Sequence, residues 1–342
     1  MNSDCPGGGA PRAPRTDQIV WRHVTNALTI FTQAIHNWDD LIPQSFAEVQ
    51  FGPSNIEFGF STSLSGCAYA YYPDNGSNWF RQGSDVANPT YGTWGFYTIM
   101  HELGHALGLR HMGSYDASRG PASPESFQDS QVLSIMSYFK PTIEGVQAAD
   151  WFADGDFVLM SPETPMVNDV YAIQTMYGVS TTTRATDTVY GFRAHNISSD
   201  EATMFDFTRN THPVVTIFDS GGNDTLDLSG FSTPSVIQLT PGTYSSADAM
   251  TNNIGLALIV GASDSWIENA IGGPADDILI GNQVANRLEG GKNNDMLDGG
   301  EGDDTLIGGQ GSDLVRGTHA ASPPPRHLWP TTSRGASPPA DW

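Results

Sequence analysis

Glycine stands at residues 272, 281, 290, 299, 308 and 317 of this chain, a nine-residue step without a slip in register. Five residues after the first five of these come Asp277, Asn286, Asp295, Asp304 and Asp313, and two residues later Leu279, Leu288, Leu297, Leu306 and Val315. A short fixed period means stacked copies of one unit, each able to bury its apolar side only against its neighbours. Within a unit, glycines let the first six residues turn tightly and present carbonyl oxygens, and the aspartate adds a charged oxygen ligand. The aliphatic residue then sits on a short strand and points into a narrow interior. Successive units alternate sides, which stacks Asp277, Asp295 and Asp313 along one edge at eighteen-residue spacing. The opposite edge is poorer, because Gly281-Asn282-Gln283-Val284-Ala285-Asn286 lacks both the glycine at its fourth place and the aspartate. Residues 270–317 carry nine carboxylates against Arg287, Lys292 and Arg316, so the stacked aspartates repel one another unless cations lie between them.

The whole chain shares that bias. Its net charge of −23 argues against nucleic acid or anionic membrane surfaces as partners and favours multivalent cations. A length of 342 residues with 38% hydrophobic side chains allows two domains with substantial cores. Cys5 and Cys67 imply no disulfide framework. No apolar run approaches the ~20 residues of a membrane span, and the amino end lacks the apolar core of a secretory signal.

A second constraint, His101-Glu102-Leu103-Gly104-His105-Ala106-Leu107-Gly108-Leu109-Arg110-His111, carries chemistry. Residues four apart lie on one helix face, so His101 and His105 can offer two imidazole nitrogens to one zinc ion. A helix running on to residue 111 would turn His111 roughly 120° from His105, at about 100° per residue. Gly108 resolves this, since glycine adopts the left-handed conformation that ends helices, and the chain can double back to deliver His111 as third ligand. Three of the chain's nine histidines fall in this window, which disfavours an amphipathic helix with incidental histidines. Three neutral imidazoles leave zinc its double charge and an open position, where a water's pKa falls from near 16 toward about 7. Glu102 would take a proton from that water as it attacks a peptide carbonyl, then pass it to the departing amine.

About 25 residues after His111 comes Ser134-Ile135-Met136-Ser137-Tyr138. This stretch resembles the Met-turn beneath the zinc of metzincins, and its Ser-x-Met-Ser-Tyr form resembles the serralysins. The resemblance runs from about Gln18 to Gly317 and includes Asp169-Val170-Tyr171-Ala172-Ile173-Gln174-Thr175-Met176-Tyr177-Gly178, Tyr190-Gly191-Phe192 and Ile267-Glu268-Asn269-Ala270-Ile271-Gly272-Gly273. The chain departs from it at Met112-Gly113, where serralysins usually have Pro-Gly. The nonapeptides resemble the RTX repeat GGxGxDxUx, and Asp219-Ser220-Gly221-Gly222-Asn223-Asp224-Thr225-Leu226 is a degenerate copy with its aspartate in phase.

What the resemblance implies is specific. Tyr138 would be an additional zinc ligand that leaves the metal and hydrogen-bonds the tetrahedral intermediate, and Met136 would form the floor. Calcium ligands would come from Arg184, Thr186, Thr188, Asp219, Gly221, Gly222, Asp224, Trp266 and Glu268 in the first coils. In the nonapeptides they would come from Gly272, Asp277, Asn286, Gly290, Asp295, Gly299, Asp304, Gly308 and Asp313. Thr186 and Trp266 stand where serralysins have glycine and threonine, a change that ligation through main-chain oxygen tolerates.

The expected architecture is an α+β metzincin protease domain over 18–180 followed by an all-β parallel β-roll (RTX) domain over 181–317. Disordered ends are expected at 1–17 and, rich in proline, at 318–342. Apolar steps of three and four from Val20 to Trp38 predict a long amphipathic helix. Strands are expected at Phe46–Phe51, Ile56–Phe60 and Ala68–Tyr72, the zinc helix at Trp94–Leu109 and a last helix at Pro165–Tyr177. An extended substrate would pair with an edge strand at Cys67–Tyr72. Residues 1–17 match neither a propeptide nor the strand expected before the long helix. After Gly317 serralysins continue with more roll, a β-sandwich segment and a carboxyl-terminal type I secretion signal. Truncation or a frameshift at both ends is therefore expected.

The expected product is a zinc-dependent endopeptidase with one catalytic Zn2+, several structural Ca2+ and protein or peptide substrates. It would be a monomer with no nucleic-acid partner and no membrane span. On the resemblance it would be secreted and extracellular, with type I secretion machinery as partner where the full-length gene keeps its signal. A calcium-binding roll protein with an impaired protease domain is the alternative. An astacin-like metzincin is disfavoured by the RTX repeats and by Ser137.

Overall fold

A computed structural model describes residues 18–317 apart from 24–28, 65, 74–75, 85, 87–88, 116–122, 154–157 and 262–264. The expectations for residues 1–17, Cys5 and 318–342 lie outside the described residues.

The first sheet is built from β1 (Gln18–His23), β2 (Ser45–Glu48), β3 (Ile56–Ser61), β4 (Ala68–Ala70) and β5 (Ser77–Arg81), in the order β2-β1-β3-β5-β4. All neighbours are parallel except β4, which runs antiparallel to β5 at the edge. Helices α1 (Thr29–Asp39), α2 (Trp94–Ala106) and α3 (Val167–Tyr177) share one apolar core with the sheet. In that core Phe31 of α1 stacks on Phe58 of β3 at 4.8 Å between ring centroids. A small ribbon, β6 (Phe152–Ala153) with β7 (Val158–Leu159), follows the long connection after α2.

The helix expected from Val20 begins only at Thr29, and Gln18–His23 is a strand. Ile19 and Trp21 are buried with half-buried Val20 between them, an alternation of period two. The apolar steps of three and four crossed an element boundary, so one periodic pattern covered two elements. Strand β5 was not expected, because Ser77-Asn78-Trp79-Phe80-Arg81 places a polar residue inward. Asn78 is fully buried and its amide donates to the carbonyls of Gly76 (2.9 Å) and Glu57 (3.3 Å).

Beyond α3 the chain becomes a roll. One sheet holds β8 (Val189–Gly191), β10 (Thr225–Asp227), β14 (Asn269–Ile271), β16 (Arg287–Lys292) and β18 (Thr305–Gln310), all parallel. The facing sheet holds β11 (Val236–Gln238), β15 (Ile278–Asn282), β17 (Met296–Gly300) and β19 (Leu314–Arg316), also parallel. Asn269 pairs with Arg287 and Arg287 with Thr305, while Ile278 pairs with Met296 and Met296 with Leu314. Consecutive nonapeptides therefore do alternate between sheets. Leu279, Leu288 and Leu297 are fully buried between them, whereas Leu306 and Val315 are only partly covered. The unit-opening glycine is required by space: a Cβ on Gly290 would lie 2.5 Å from Asp295 Oδ2 and 2.6 Å from the Gly308 carbonyl.

A three-stranded sheet of β9 (Val215–Ile217), β12 (Tyr244–Ser245) and β13 (Ile254–Leu256), with the short helix α4 (Ala202–Phe205), completes the fold. This region meets the first core through Val214, Phe218, Met250 and Ala257. Arg184 ties the two parts by pairing with Asp40 at 2.8 Å and with Glu201, and by donating to the Phe218 carbonyl at 2.6 Å.

Candidate metal centre

Helix α2 is buried on every side from Gly95 to Ala106, and a close approach explains its Gly104. A Cβ on Gly104 would come within 2.8 Å of Met136 Sδ, so this glycine lets the methionine loop press against the helix. Gly108 lies past the helix end at φ 103°, with the Leu109 N–H returning to the Gly104 carbonyl at 2.9 Å. The chain then reverses and brings His111 over the helix.

The three imidazoles converge. Nε2 of His111 lies 3.3 Å from Nε2 of His101 and 3.0 Å from Nε2 of His105. Each Nδ1 faces a backbone carbonyl, that of Ile135 at 2.7 Å for His101, Leu109 at 2.8 Å for His105 and Tyr115 at 3.0 Å for His111. A carbonyl can only accept, so each Nδ1 carries the proton and each Nε2 presents a lone pair. Lone pairs do not hydrogen-bond one another, and such convergence calls for a cation. Donors about 2.0–2.1 Å from one tetrahedral ion lie roughly 3.3–3.4 Å apart, so this donor set fits zinc. Burial, reinforced by the neighbouring histidines, lowers the His101 pKa to about 3 and that of His105 well below its ordinary value.

The surroundings hold this geometry. Glu102 is 2% exposed, next to His101 on α2. Asp169 near the start of α3 accepts from Ser134 Oγ (2.6 Å), Ile135 N (2.7 Å) and Met166 N (2.9 Å), and so pins the residue whose carbonyl receives His101. The Tyr138 ring centroid lies 4.6 Å from that of His111 and 5.8 Å from that of His101. At the open side, Tyr72 follows edge strand β4 and its ring meets His105 edge-on at 5.7 Å.

The roll gathers oxygen instead. The Asp277 N–H donates to Asp295 Oδ1 at 2.9 Å, the Asp295 N–H to Asp313 Oδ1 at 3.1 Å, and the Asn286 N–H to Asp304 Oδ1 at 3.0 Å. In the first coils, Asp224 Oδ1 accepts from Thr188 N (2.7 Å) and the Asp224 N–H donates to Glu268 Oε2 (2.7 Å). Thr188 Oγ1 reaches the carbonyls of Thr186 (2.7 Å) and Arg184 (3.3 Å), and Asp219 Oδ1 accepts from Gly221 N at 2.8 Å. A Cβ on Gly222 would collide with Thr186 at 2.7 Å. Oδ2 of Asp224 and Oδ2 of Asp295 are buried without a hydrogen-bond partner among the described residues. Burial, then the charge of Asp219, lifts Asp224 to about 8, and burial lifts Asp295 to about 6. Buried carboxylates with a lone pair to spare fit a hard cation such as calcium.

Residues 179–321 match the family model described as Peptidase M10 serralysin C terminal. Metalloprotease AprA of Pseudomonas entomophila is 36% identical over 270 residues, covering 75% of this chain and 53% of that protein. Serralysin of Photorhabdus laumondii is 37% identical over 274 residues, with 75% and 53% covered. The chain is similar to the serralysins. Serralysin C of Dickeya chrysanthemi is 40% identical over 221 residues, 62% of this chain and 43% of that protein. The chain thus spans about half the length of the relatives it matches.

Among the residues that the serralysin resemblance singles out, His101, His105 and His111 meet at one point, with Tyr138 beside them and Met136 beneath. Arg184, Thr186, Thr188, Asp219, Gly221, Asp224 and Glu268 gather around the first coils, with Trp266 half-buried on the Glu268 segment. The equivalent carboxylates of the nonapeptides line the two roll edges. Asn286 departs from them. Its Oδ1 accepts from Asn282 N at 2.7 Å, and its Nδ2 donates to the Glu268 carbonyl and to Asn282 Oδ1, each at 2.9 Å. It presents a donor where the aspartates present an acceptor. Tyr115, Asp129 and Asn282 were not singled out from sequence. No spacing rule marks the first two, while Asn282 held a place the repeat gives to glycine.

Proposed function

We propose that this chain is a serralysin-type zinc endopeptidase, with a metzincin protease domain over 18–180 and a calcium-dependent RTX roll over 181–317. The observation that carries the reading is the convergence of three Nε2 lone pairs, each fixed by a carbonyl behind its ring, beside the buried Glu102. His101, His105 and His111 would hold the metal, with Tyr138 as a further ligand. When bound, zinc supplies Lewis-acid activation of water and of the scissile carbonyl.

The chain's own residues do the rest. An extended peptide adds its backbone to edge strand β4, which sets the scissile bond across the site. Glu102 takes a proton from the attacking water and delivers it to the departing amine, in a pocket whose burial strengthens each charge interaction. The Tyr138 hydroxyl donates to the carbonyl oxygen as charge develops there. Asp219, Asp224, Glu268, Asp277, Asp295, Asp304 and Asp313, with carbonyls near Gly221, Gly222, Gly272, Gly290, Gly299 and Gly308, would hold calcium and stabilise the roll. By its serralysin likeness the protein would act outside the cell.

Zinc content and casein hydrolysis by the purified chain test this reading. The zinc-loaded chain should cleave casein, and a zinc chelator should stop it. Glu102→Gln should keep its zinc and lose activity by at least about 10²–10⁴-fold. A folded, zinc-replete chain without cleavage would leave only the calcium-binding roll.

A further inference from the structure

We propose that Asp129 is a positioning residue of the zinc site, one that sets Tyr138 against His111 through the hydroxyls of Tyr115 and Ser137. The inference rests on the metalloprotease reading above. Asp129 is fully buried, and its Oδ1 accepts from Tyr115 OH and from Ser137 Oγ, each at 2.7 Å. Its Oδ2 has no hydrogen-bond partner among the described residues, and a Cβ on Gly113 would sit 3.1 Å from that oxygen.

Proton bookkeeping gives this carboxylate its reach. A hydroxyl has one proton to donate, and a carboxylate only accepts. Tyr115 and Ser137 therefore both spend their proton on Asp129, and both oxygens are left as acceptors. The Tyr115 oxygen takes the N–H of Tyr138 at 3.2 Å, and the Ser137 oxygen takes the N–H of Phe139 at 3.1 Å. The backbone on either side of the Tyr138 side chain is thus held by acceptors whose direction one buried charge dictates.

Tyr115 also faces the histidines. Its carbonyl receives His111 Nδ1 at 3.0 Å, and its ring stacks on His111 at 5.3 Å and lies 4.8 Å from Tyr138. One residue therefore sets the tautomer of the third imidazole and the backbone of the tyrosine. Asp129 orients it from a fully buried position. A purely structural anchor would not need a charge, since burying a carboxylate with one oxygen unpartnered is unfavourable.

The test is a double-mutant cycle on the full chain. Tyr115→Phe removes the hydroxyl while keeping the ring and the carbonyl that holds His111. Tyr115→Phe and Asp129→Ala are each made alone and in the Tyr138→Phe background, and kcat, KM, zinc content and the visible spectrum with cobalt(II) in place of zinc are measured. Each single variant should keep its metal, hold KM within about threefold and lose roughly 10–100-fold in kcat. In the Tyr138→Phe background the further loss from Tyr115→Phe should shrink to within about threefold, because the two act through one group. The cobalt spectrum should shift in Tyr115→Phe. Equal losses in both backgrounds, or an unchanged spectrum, would overturn the inference. Should Asp129→Ala not fold, Tyr115→Phe decides alone. An inactive wild-type chain would count against the enzyme reading, while the cobalt spectrum would still decide the positioning.

Discussion

The histidine centre and the acidic edges of the roll both gather ligand atoms, and they differ in what fixes those atoms. At the centre the donors are neutral, each ring is held from behind by a backbone carbonyl, and the helix beneath belongs to a core of large aromatic side chains. At the edges the donors are buried or half-buried carboxylates, held by N–H groups of neighbouring coils, over an interior only one aliphatic residue wide per unit. The difference teaches that packing builds the first site, whereas on the proposed reading ions would help build the second. Zinc should follow folding, and calcium should drive it.

The largest test removes each ion's ligand in turn. His105→Ala should abolish zinc binding and bring casein hydrolysis to background, while the circular dichroism spectrum in calcium stays that of the parent. Removal of calcium should do the converse. The full chain should lose part of its β-structure in chelator and regain it on titration, since each site at 100-fold its Kd contributes about 2.7 kcal/mol. A spectrum identical in calcium and chelator would break the comparison. Asp313 should belong to the weakest site, for it is less buried than Asp277 or Asp295 and Val315 beneath it is only partly covered.

A smaller effect appears with pH. Asp295 at about 6 and Asp224 at about 8 both lie above the ordinary aspartate value of 3.8, with burial as the first cause. At these two groups the folded roll binds more protons than the unfolded chain between those limits, so their contribution to stability falls as pH rises from about 4 through 8. In chelator the roll should melt at a higher temperature at pH 5 than at pH 8, and saturating calcium should remove or reverse that order. A chelated roll that melts higher at pH 8 would show that its carboxylates are already compensated by the protein.

Much of this was legible in the sequence because its period is exact to the residue. The glycines and aliphatic residues fix which side chains face inward, and strands pairing eighteen residues apart follow. The histidine site was legible because helix geometry converts a spacing of four into a shared face. Strand β1 was not, since Val20 joins either a period of two or one of 3.6 until its neighbours are placed. Nor was the shell of Tyr115, Asp129 and Asp169 around the metal site. Those residues act through loops whose paths no local pattern encodes, although Asp169 stands where a helix-capping carboxylate is expected.

The finest test lies between the two edges of the roll itself. Asn286 occupies an aspartate place, yet its amide nitrogen faces the Glu268 carbonyl, and the partner Asn282 donates to the carbonyls of Leu239 and Ile267 at 3.0 Å each. The backbone fixes these orientations: Oδ1 of Asn286 faces an N–H and Nδ2 faces a carbonyl, so a flipped amide would lose both bonds. An amide thus bridges coils where the other edge would use an ion under the proposed reading. Asn286→Ala should lower the melting temperature by about 2–4 °C per kcal/mol lost, equally in calcium and in chelator. Asp295→Ala, which also strips an acceptor from the Asp277 N–H, should destabilise more in calcium than in chelator. Asn286→Asp sharpens the contrast, because it turns a carboxylate toward the Glu268 carbonyl, and it should destabilise the chelated chain while adding one calcium to the count. A loss in Asn286→Ala confined to calcium would mean that the amide is a ligand after all and that the two edges are alike.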